Sequence, residues 1–224
     1  MQQAFTFQGR AARKIKFQSL LHLPGDYQAK CGQRWPLLCF LHGAGERGTH
    51  LDLVAKHGPP KLAAAKKEFP FVLLSPQCPS GQIWNDAALL ALLDHVTVKF
   101  RIDTRRVYLT GLSMGGYGTW SLGLKHPGRF AAIAPVCGGG TYADILLANP
   151  DQNRAMRTLG VWAFHGAKDD VVPPAESRVM VTALKKAGCQ DVRLTLYPHA
   201  GHDSYTQAYN NPKLYEWFLN HRRR

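Results

Sequence analysis

Short apolar segments alternate with helical segments along most of this chain of 224 residues. The apolar segments are continuous runs, which are typical of strands buried on both faces of a parallel sheet. They lie at residues 37–41, 71–74, 107–110, 131–134, 161–165 and 192–197. Residues 15–23, before a turn at residues 24–26, have the pattern of an early antiparallel strand.

Helical patterns fall between these strands. Apolar residues recur at helical spacing from residue 89 to residue 100, after Asn85 or Asp86 as a cap. Further helices are predicted at residues 113–126, 175–187 and 214–221, and Gly188 suits a left-handed cap after the second of these. Strict alternation of strand and helix predicts one α/β domain over residues 1–224, with a mostly parallel sheet covered by helices on both faces.

Charge and hydropathy exclude several classes of protein. Lysine and arginine outnumber the acids by 28 to 15, which gives a net charge of +13. The basic residues are scattered and no nucleic-acid-binding module accompanies them, so we interpret them as a solvated surface and expect no nucleic-acid partner. The scattered basic residues include Arg10, Arg13, Lys14, Lys16, Lys66, Lys67, Lys185, Lys186 and residues 222–224. The longest apolar run, residues 87–93, is too short for the ~20 residues of a membrane span.

The five cysteines are odd in number and stand in no metal-ligand spacing. Three of them lie in or beside apolar segments, as buried reduced thiols do. Residues 1–23 lack the apolar core of a secretory signal. These observations predict a cytoplasmic protein that uses neither metal nor cofactor.

The motif Gly111-Leu112-Ser113-Met114-Gly115 stands directly after a predicted strand and opens a predicted helix. A G-x-S-x-G sequence in this setting predicts a tight turn that lifts the serine hydroxyl clear of the sheet. Side chains at Gly111 and Gly115 would collide in such a turn, so both positions require small residues. We therefore predict Ser113 as a nucleophile.

A serine hydroxyl needs a base to remove its proton and a carboxylate to orient that base. The loop after residues 161–165 contains Asp169 and Asp170, and the loop after residues 192–197 contains His199 and His202. Serine, acid and histidine thus follow one another in three loops after three strands. The residue pattern alone leaves both the acid and the histidine open.

A tetrahedral oxyanion also needs backbone donors, each worth ~3–4 kcal/mol when well placed. One predicted donor is the N–H of Met114, the residue after the nucleophile. The other is the N–H of Ala44, in the glycine-rich loop after residues 37–41. His42 and Gly43 precede it and are candidate substrate-binding residues.

Four segments together resemble an α/β-hydrolase of the phospholipase/carboxylesterase group, close to small bacterial esterases often called predicted peptidases. They are residues 40–48 (FLHGAGERG), 111–118 (GLSMGGYG), 165–173 (HGAKDDVVP) and 200–203 (AGHD). The resemblance implies an α/β-hydrolase fold with Asp169 as the acid, from a G-x-x-D-x-x-V-P pattern, and His202 as the base, from a Gly-His pair. It also implies that no metal or cofactor takes part.

Several other residues have two interpretations. Trp84 either lines a substrate pocket or anchors its loop on the core. Tyr117 and Trp120 are predicted to pack in the core rather than to line the site. Glu46 and Arg47 either form a structural ion pair that holds the oxyanion loop or contact the substrate, and we favour the ion pair. Residues 137–160 lie where hydrolases of this fold insert a lid, and their 24 residues are enough for a flap but not for a cap domain.

The resulting hypothesis is a serine carboxylesterase that acts on soluble small-molecule esters of short to medium chain length. The same residues suit a feruloyl or acetyl-polysaccharide esterase, a thioesterase or a peptidase. An alternative of another class is a non-catalytic binding protein on a hydrolase scaffold, which would use the basic surface.

Overall fold

An eight-stranded, mostly parallel sheet runs through the computed structural model, which describes residues 2–10, 14–65 and 69–223. The strands are β1 (Gln2–Arg10), β2 (Lys14–His22), β3 (Trp35–Leu41), β4 (Val72–Pro76), β5 (Ile102–Leu112), β6 (Ala132–Val136), β7 (Gly160–Gly166) and β8 (Val192–Tyr197). Their order is β1-β2-β4-β3-β5-β6-β7-β8. Strand β2 pairs antiparallel with β1 and with β4, and every later pair is parallel. Arg13, Lys66, Lys67 and Arg224 lie outside the described residues.

Eight helices cover the two faces of the described sheet: α1 (Gly58–Ala65), α2 (Asp86–Lys99), α3 (Met114–Lys125), α4 (Ala143–Leu146), α5 (Pro150–Thr158), α6 (Ala175–Lys186), α7 (Tyr205–Asn210) and α8 (Pro212–Leu219). Apolar residues of α2, α3 and α6 belong to one buried cluster, and those of α1, α7 and α8 belong to a second. The predicted fold class is therefore confirmed. That the chain forms a single domain stays a prediction.

Strand β1 and the four helices α1, α4, α5 and α7 were not predicted from the sequence, and residues 137–160 were expected to suffice for a flap but not for a cap domain. That segment contains α4 and α5, which are fixed to the rest of the molecule. Ile145 and Met156 are buried, and Gln152 donates from its side-chain amide to the Lys125 carbonyl at 2.9 Å. Helix α5 has its own start signal, a capping box at Asn149 and Gln152.

Among the described residues, no helix combines the length and the apolar character that crossing a membrane requires.

Two buried histidines, His22 on β2 and His42 after β3, are expected to lower the stability of the folded protein at acidic pH. Burial lowers the pKa of each from 6.5 to about 4. The unfolded chain therefore takes up protons below pH 6.5 that the folded chain accepts only near pH 4, and unfolding becomes easier across that interval. Each histidine accounts for up to about 3 kcal/mol.

We expect the free energy of unfolding in urea to be lower at pH 4.5 than at pH 7.5, and the difference to shrink in His22→Phe, which removes one of the two groups. The phenylalanine would occupy the place of an imidazole that packs edge-on against Phe69, with ring centroids 5.9 Å apart. An equal pH dependence in the wild type and the variant would contradict the assignment.

Candidate active site

Ser113 occupies a sharp turn between β5 and α3, at the carboxyl edge of the sheet. Its backbone has φ 52° and ψ −117°, a sparsely populated region for a residue with a side chain. The Ser113 N–H donates to the Val136 carbonyl on the neighbouring strand β6 at 3.0 Å. The turn therefore presents the hydroxyl above the sheet, as the motif predicts.

The two glycines of the motif are required by space. A Cβ atom at Gly115 would lie 1.9 Å from the Leu41 carbonyl oxygen, and one at Gly111 would lie 2.3 Å from the Gly115 carbonyl oxygen. Backbone atoms cannot move away from such contacts without displacing β3 or α3. The prediction that both positions need small residues is confirmed.

His202 joins Ser113 to Asp169. Its Nε2 lies 2.9 Å from the Ser113 Oγ, and its Nδ1 lies 2.9 Å from the Asp169 Oδ2. The three side chains come from the loops that follow β5, β7 and β8. Asp170 and His199, the alternatives that the residue pattern left open, are both exposed. The structure thus brings together Ser113, Asp169 and His202.

Asp169 is a buried carboxylate that its loop holds in the ionised form. Burial acts to raise its pKa, but the backbone N–H of Val172, the His202 imidazole and the N–H of Val171 together lower the pKa below the usual range. The two N–H groups donate to Oδ1 at 2.9 and 3.0 Å. Oδ2 therefore remains available to accept from His202, and this bond fixes the proton of the neutral imidazole on Nδ1.

His165, at the end of β7, lies against the Asp169 carboxylate and was not predicted from the sequence as part of the site. Its Nε2 donates to the Val172 carbonyl at 2.9 Å and lies 3.2 Å from the Asp169 Oδ2. Its Nδ1 lies 2.8 Å from the Ser177 Oγ, whose hydroxyl reaches the Gly138 carbonyl at 3.0 Å. The buried imidazole thus ties the acid loop to α6 and to the end of β6. The only sequence signal was its place in the 165–173 segment.

The two N–H groups predicted as oxyanion donors belong to the first residues of helical turns, where intrahelical acceptors are absent. Met114 begins α3, and Ala44 begins a short 3₁₀ turn at residues 44–46. Neither N–H has an acceptor among the described residues. Both predicted oxyanion donors are therefore available to a ligand.

His42 holds the loop that carries Ala44. Its Nδ1 donates to the Gly43 carbonyl at 2.7 Å, and its Nε2 accepts from the Cys78 N–H at 2.9 Å. The lowered pKa caused by burial keeps this imidazole neutral, as the pair of bonds requires. A Cβ atom at Gly43 would lie 2.7 Å from the Leu112 Cδ1, so the buried Gly43 packs closely against this side chain. Both residues therefore shape the loop beneath Ala44.

The predicted ion pair between Glu46 and Arg47 was wrong. Arg47 instead donates to the carbonyls of Ala44 and Gln82, at 2.9 and 3.3 Å, and the Glu46 carboxylate faces His57 with 3.9 Å between Oε1 and Nε2. Adjacent side chains on a helical turn point in different directions, so they do not meet. Arg47 still has a structural part, because it joins the Ala44 loop to the loop before α2.

A cleft of about 450 Å³ opens from Ser113 along one face of α3. Its other lining residues are Ile83, Trp84, Met114, Tyr117, Gly118 and Ser121. Trp84 combines both interpretations given above, because it lines the cleft and is also anchored in the core, with Nε1 donating to the His42 carbonyl at 3.1 Å. Trp120 is fully buried as predicted, whereas Tyr117 is 42% exposed and the prediction that it packs in the core was wrong.

One group of potential metal ligands occurs among the described residues. Ligand atoms of Cys137, Asp169 and His202 lie within 4.8 Å of one another. Asp169 and His202 are already hydrogen-bonded to each other, and burial raises the pKa of the Cys137 thiol to about 12, so a thiolate is disfavoured there. The group therefore fits a hydrogen-bonded site better than a metal site. That no metal or cofactor takes part stays a prediction.

The order of these side chains along the chain, serine before acid before histidine, is the order found in α/β-hydrolases, and the sheet has the architecture of that fold. The protein is thus an α/β-hydrolase. Within this class the chain belongs to the esterase family, because a family model described as "Putative esterase" matches residues 10–170. A second model, of the prolyl oligopeptidase family, matches residues 141–223.

Individual relatives agree with the family. A solved structure of a thermostable esterase superposes with a TM-score of 0.84 at 31% identity, over 99% of this chain and 63% of that chain. A poly(3-hydroxyoctanoate) depolymerase of Pseudomonas fluorescens is 32% identical over 54% of this chain and 42% of its own. A bifunctional acetylxylan esterase/xylanase of Neocallimastix patriciarum is 32% identical over 36% of this chain and 11% of its own. The chain thus spans less than half the length of these two curated relatives.

Proposed function

We propose that this chain hydrolyses carboxylic esters of short to medium chain length, with Ser113 as nucleophile, His202 as general base and Asp169 as the acid that orients His202. The observation that carries the proposal is the pair of 2.9 Å hydrogen bonds through which His202 joins Ser113 to Asp169. Membership of the esterase family supports the same class of bond.

The first half of the reaction transfers the acyl group to the enzyme. His202 takes the hydroxyl proton of Ser113 as Oγ attacks the ester carbonyl carbon, and the carbonyl oxygen becomes an oxyanion. The N–H groups of Ala44 and Met114 stabilise this oxyanion, each by ~3–4 kcal/mol. The C–O bond to the alcohol then breaks, and the alcohol leaves with the proton that His202 carries.

The second half regenerates the serine. Water gives a proton to His202 as its oxygen attacks the acyl carbon, and the Ser113 oxygen leaves with that proton. Asp169, ionised because its pKa is lowered, stabilises the imidazolium that forms in each half. His42 and Gly43 place the Ala44 donor, and Trp84 forms a wall of the cleft that receives substrate.

The size and lining of the cleft support a small ester. Its volume of about 450 Å³ and its mainly apolar residues suit acyl groups of modest length. The relatives named for acetylxylan and poly(3-hydroxyoctanoate) are proteins whose names indicate esters of short and medium acyl groups. The described residues include no cap domain over Ser113, so we expect activity on dissolved esters without interfacial activation.

A panel of substrates tests the proposal against its alternatives. We expect hydrolysis of p-nitrophenyl acetate, butyrate and octanoate to exceed that of palmitate, methyl ferulate, acetylated xylan, an acetyl thioester and a peptide p-nitroanilide. Fast cleavage of the peptide anilide alone would favour a peptidase, in line with the prolyl oligopeptidase match. No turnover of any substrate, with salt-dependent retention on heparin, would favour the binding protein instead.

A cytoplasmic location and the absence of a nucleic-acid partner stay predictions. The location is supported by the free cysteines, of which Cys39, Cys78, Cys137 and Cys189 are buried.

A further inference from the structure

We infer that the cleft beside Ser113 is the acyl site, and that its far end recognises a hydroxyl group about eight bonds from the ester carbonyl carbon. The preferred acyl group is then apolar along its length and hydroxylated at its end, as in an ω-hydroxyoctanoyl ester. The inference rests on the proposed function and adds the substrate class to it.

The cleft runs along α3 from the nucleophile. Its floor is formed at positions 114, 117, 118 and 121, which recur at the three- and four-residue spacing of one helix face. From residue 113 to residue 121 the helix rises about 12 Å. Ile83 is 74% exposed and Tyr117 is 42% exposed beside this floor, so an apolar chain lying there would cover both side chains.

The lining residue farthest along α3 from Ser113 is the polar Ser121, which is hydrogen-bonded to two residues outside the lining, Asp86 and Lys125. The Ser121 hydroxyl donates to the Asp86 Oδ2 at 2.8 Å, and the Lys125 ammonium donates to the Ser121 Oγ at 2.9 Å and to the Asp86 Oδ2 at 3.3 Å. Asp86 balances the charge of Lys125, so the cluster favours a neutral group over an ion. One Lys125 proton and one Ser121 lone pair remain, which match the acceptor and the donor of a hydroxyl.

The cleft takes the acyl group because the alcohol must lie elsewhere. The leaving alcohol receives its proton from His202, so it stands on the His202 side of Ser113. None of the cleft's lining residues comes from the loops that carry His202 or Asp169. The group that remains bonded to Ser113 is the acyl group, and the cleft begins at that serine.

The length of the acyl group follows from the length of the floor. An extended chain advances about 1.2 Å per bond, since three backbone bonds span about 3.6 Å. Eight bonds and a hydrogen bond of about 2.8 Å therefore cover the ~12 Å from residue 113 to residue 121.

The test compares pairs of p-nitrophenyl esters that differ only in a terminal hydroxyl: octanoate with 8-hydroxyoctanoate, and butyrate with 4-hydroxybutyrate. For each pair the measured quantity is the ratio of kcat/KM for the hydroxylated ester to that for the plain ester. Each rate is corrected for release of p-nitrophenol without enzyme, which for 4-hydroxybutyrate includes cyclisation to the lactone. We expect this ratio to be roughly fivefold higher for the eight-carbon pair, the effect of about one hydrogen bond.

Ser121→Ala should lower the eight-carbon ratio to the four-carbon value, and Lys125→Met should lower it as well. Lys186→Met, an exposed lysine on α6 outside the cleft, is the matched control and should keep the wild-type ratio.

Equal ratios for the two chain lengths in the wild type would overturn the inference, and so would a wild-type ratio in Ser121→Ala. Hydrolysis of p-nitrophenyl acetate separates the two proposals. Turnover of acetate with equal ratios overturns the acyl-site inference alone, whereas no turnover of acetate overturns the proposed function and the inference together.

Discussion

Ser113→Ala is expected to lower kcat for p-nitrophenyl acetate by about 10⁶-fold, the order found when a serine hydrolase loses its nucleophile. Alanine has no oxygen that could form the acyl-enzyme, and the His202 Nε2 loses its 2.9 Å partner. The measurement is the initial rate at saturating substrate, corrected for spontaneous hydrolysis, with circular dichroism to verify folding. Ser80→Ala, the same exchange at an exposed loop position, should retain wild-type turnover.

Wild-type turnover in Ser113→Ala would mean that the turn after β5 is not the site. The non-catalytic alternative would then gain weight if the protein also bound heparin in a salt-dependent way. Loss of turnover in both alanine variants would point instead to misfolding, which the circular dichroism spectra would reveal.

Asp169→Asn is expected to lower kcat by about 10⁴-fold while leaving the loop in place, as the equivalent exchange does in a serine protease. The asparagine carbonyl can still accept from the N–H groups of Val171 and Val172. Its amide, however, presents a donor to the His202 Nδ1. The imidazole then carries its proton on Nε2, which can no longer accept the proton of Ser113.

Asp170→Asn is the matched control, because it makes the same exchange at the neighbouring, exposed acid. We expect wild-type kcat from this variant. If Asp170→Asn lost activity and Asp169→Asn kept it, the acid would be Asp170 and the observed hydrogen bond between Asp169 and His202 would not be the functional one. The pair of variants thus decides between the two acids that the sequence pattern left open.

Strands β3 to β8 and the helices α2, α3, α6 and α8 were predictable because each has a local pattern. A buried parallel strand is a continuous apolar run, and the long helices carry apolar residues at helical spacing. Strand β1 was missed because its residues are mostly polar and its pairing with β2 is a tertiary contact. Helix α1 was missed because it begins with Gly-Pro-Pro and has little amphipathic pattern of its own.

The residues proposed for the chemistry were predictable because the chemistry demands particular residue types in loops after particular strands. The residues that surround and position these side chains were harder to predict. His165 contacts Ser177 and Val172 through the folded loop, and no local spacing marks it. Tyr117 and Trp120 lie only about 60° apart around α3, so a pattern cannot separate the residue that faces the cleft from the residue that faces the core. Such assignments depend on how the helix is rotated against the sheet.

The backbone conformation of Ser113 opposes the stability of the fold to the catalytic role proposed for this residue. A residue with a side chain at such a φ costs about 1–3 kcal/mol, and only glycine adopts it freely. The turn is held by the hydrogen bond from the Ser113 N–H to β6 and by the close packing of Gly115 against β3. Contacts with the sheet therefore compensate for the unfavourable backbone conformation. Selection for thermal stability alone would replace this serine by glycine. The residue proposed as the nucleophile is therefore also one whose backbone conformation is unfavourable for any residue but glycine.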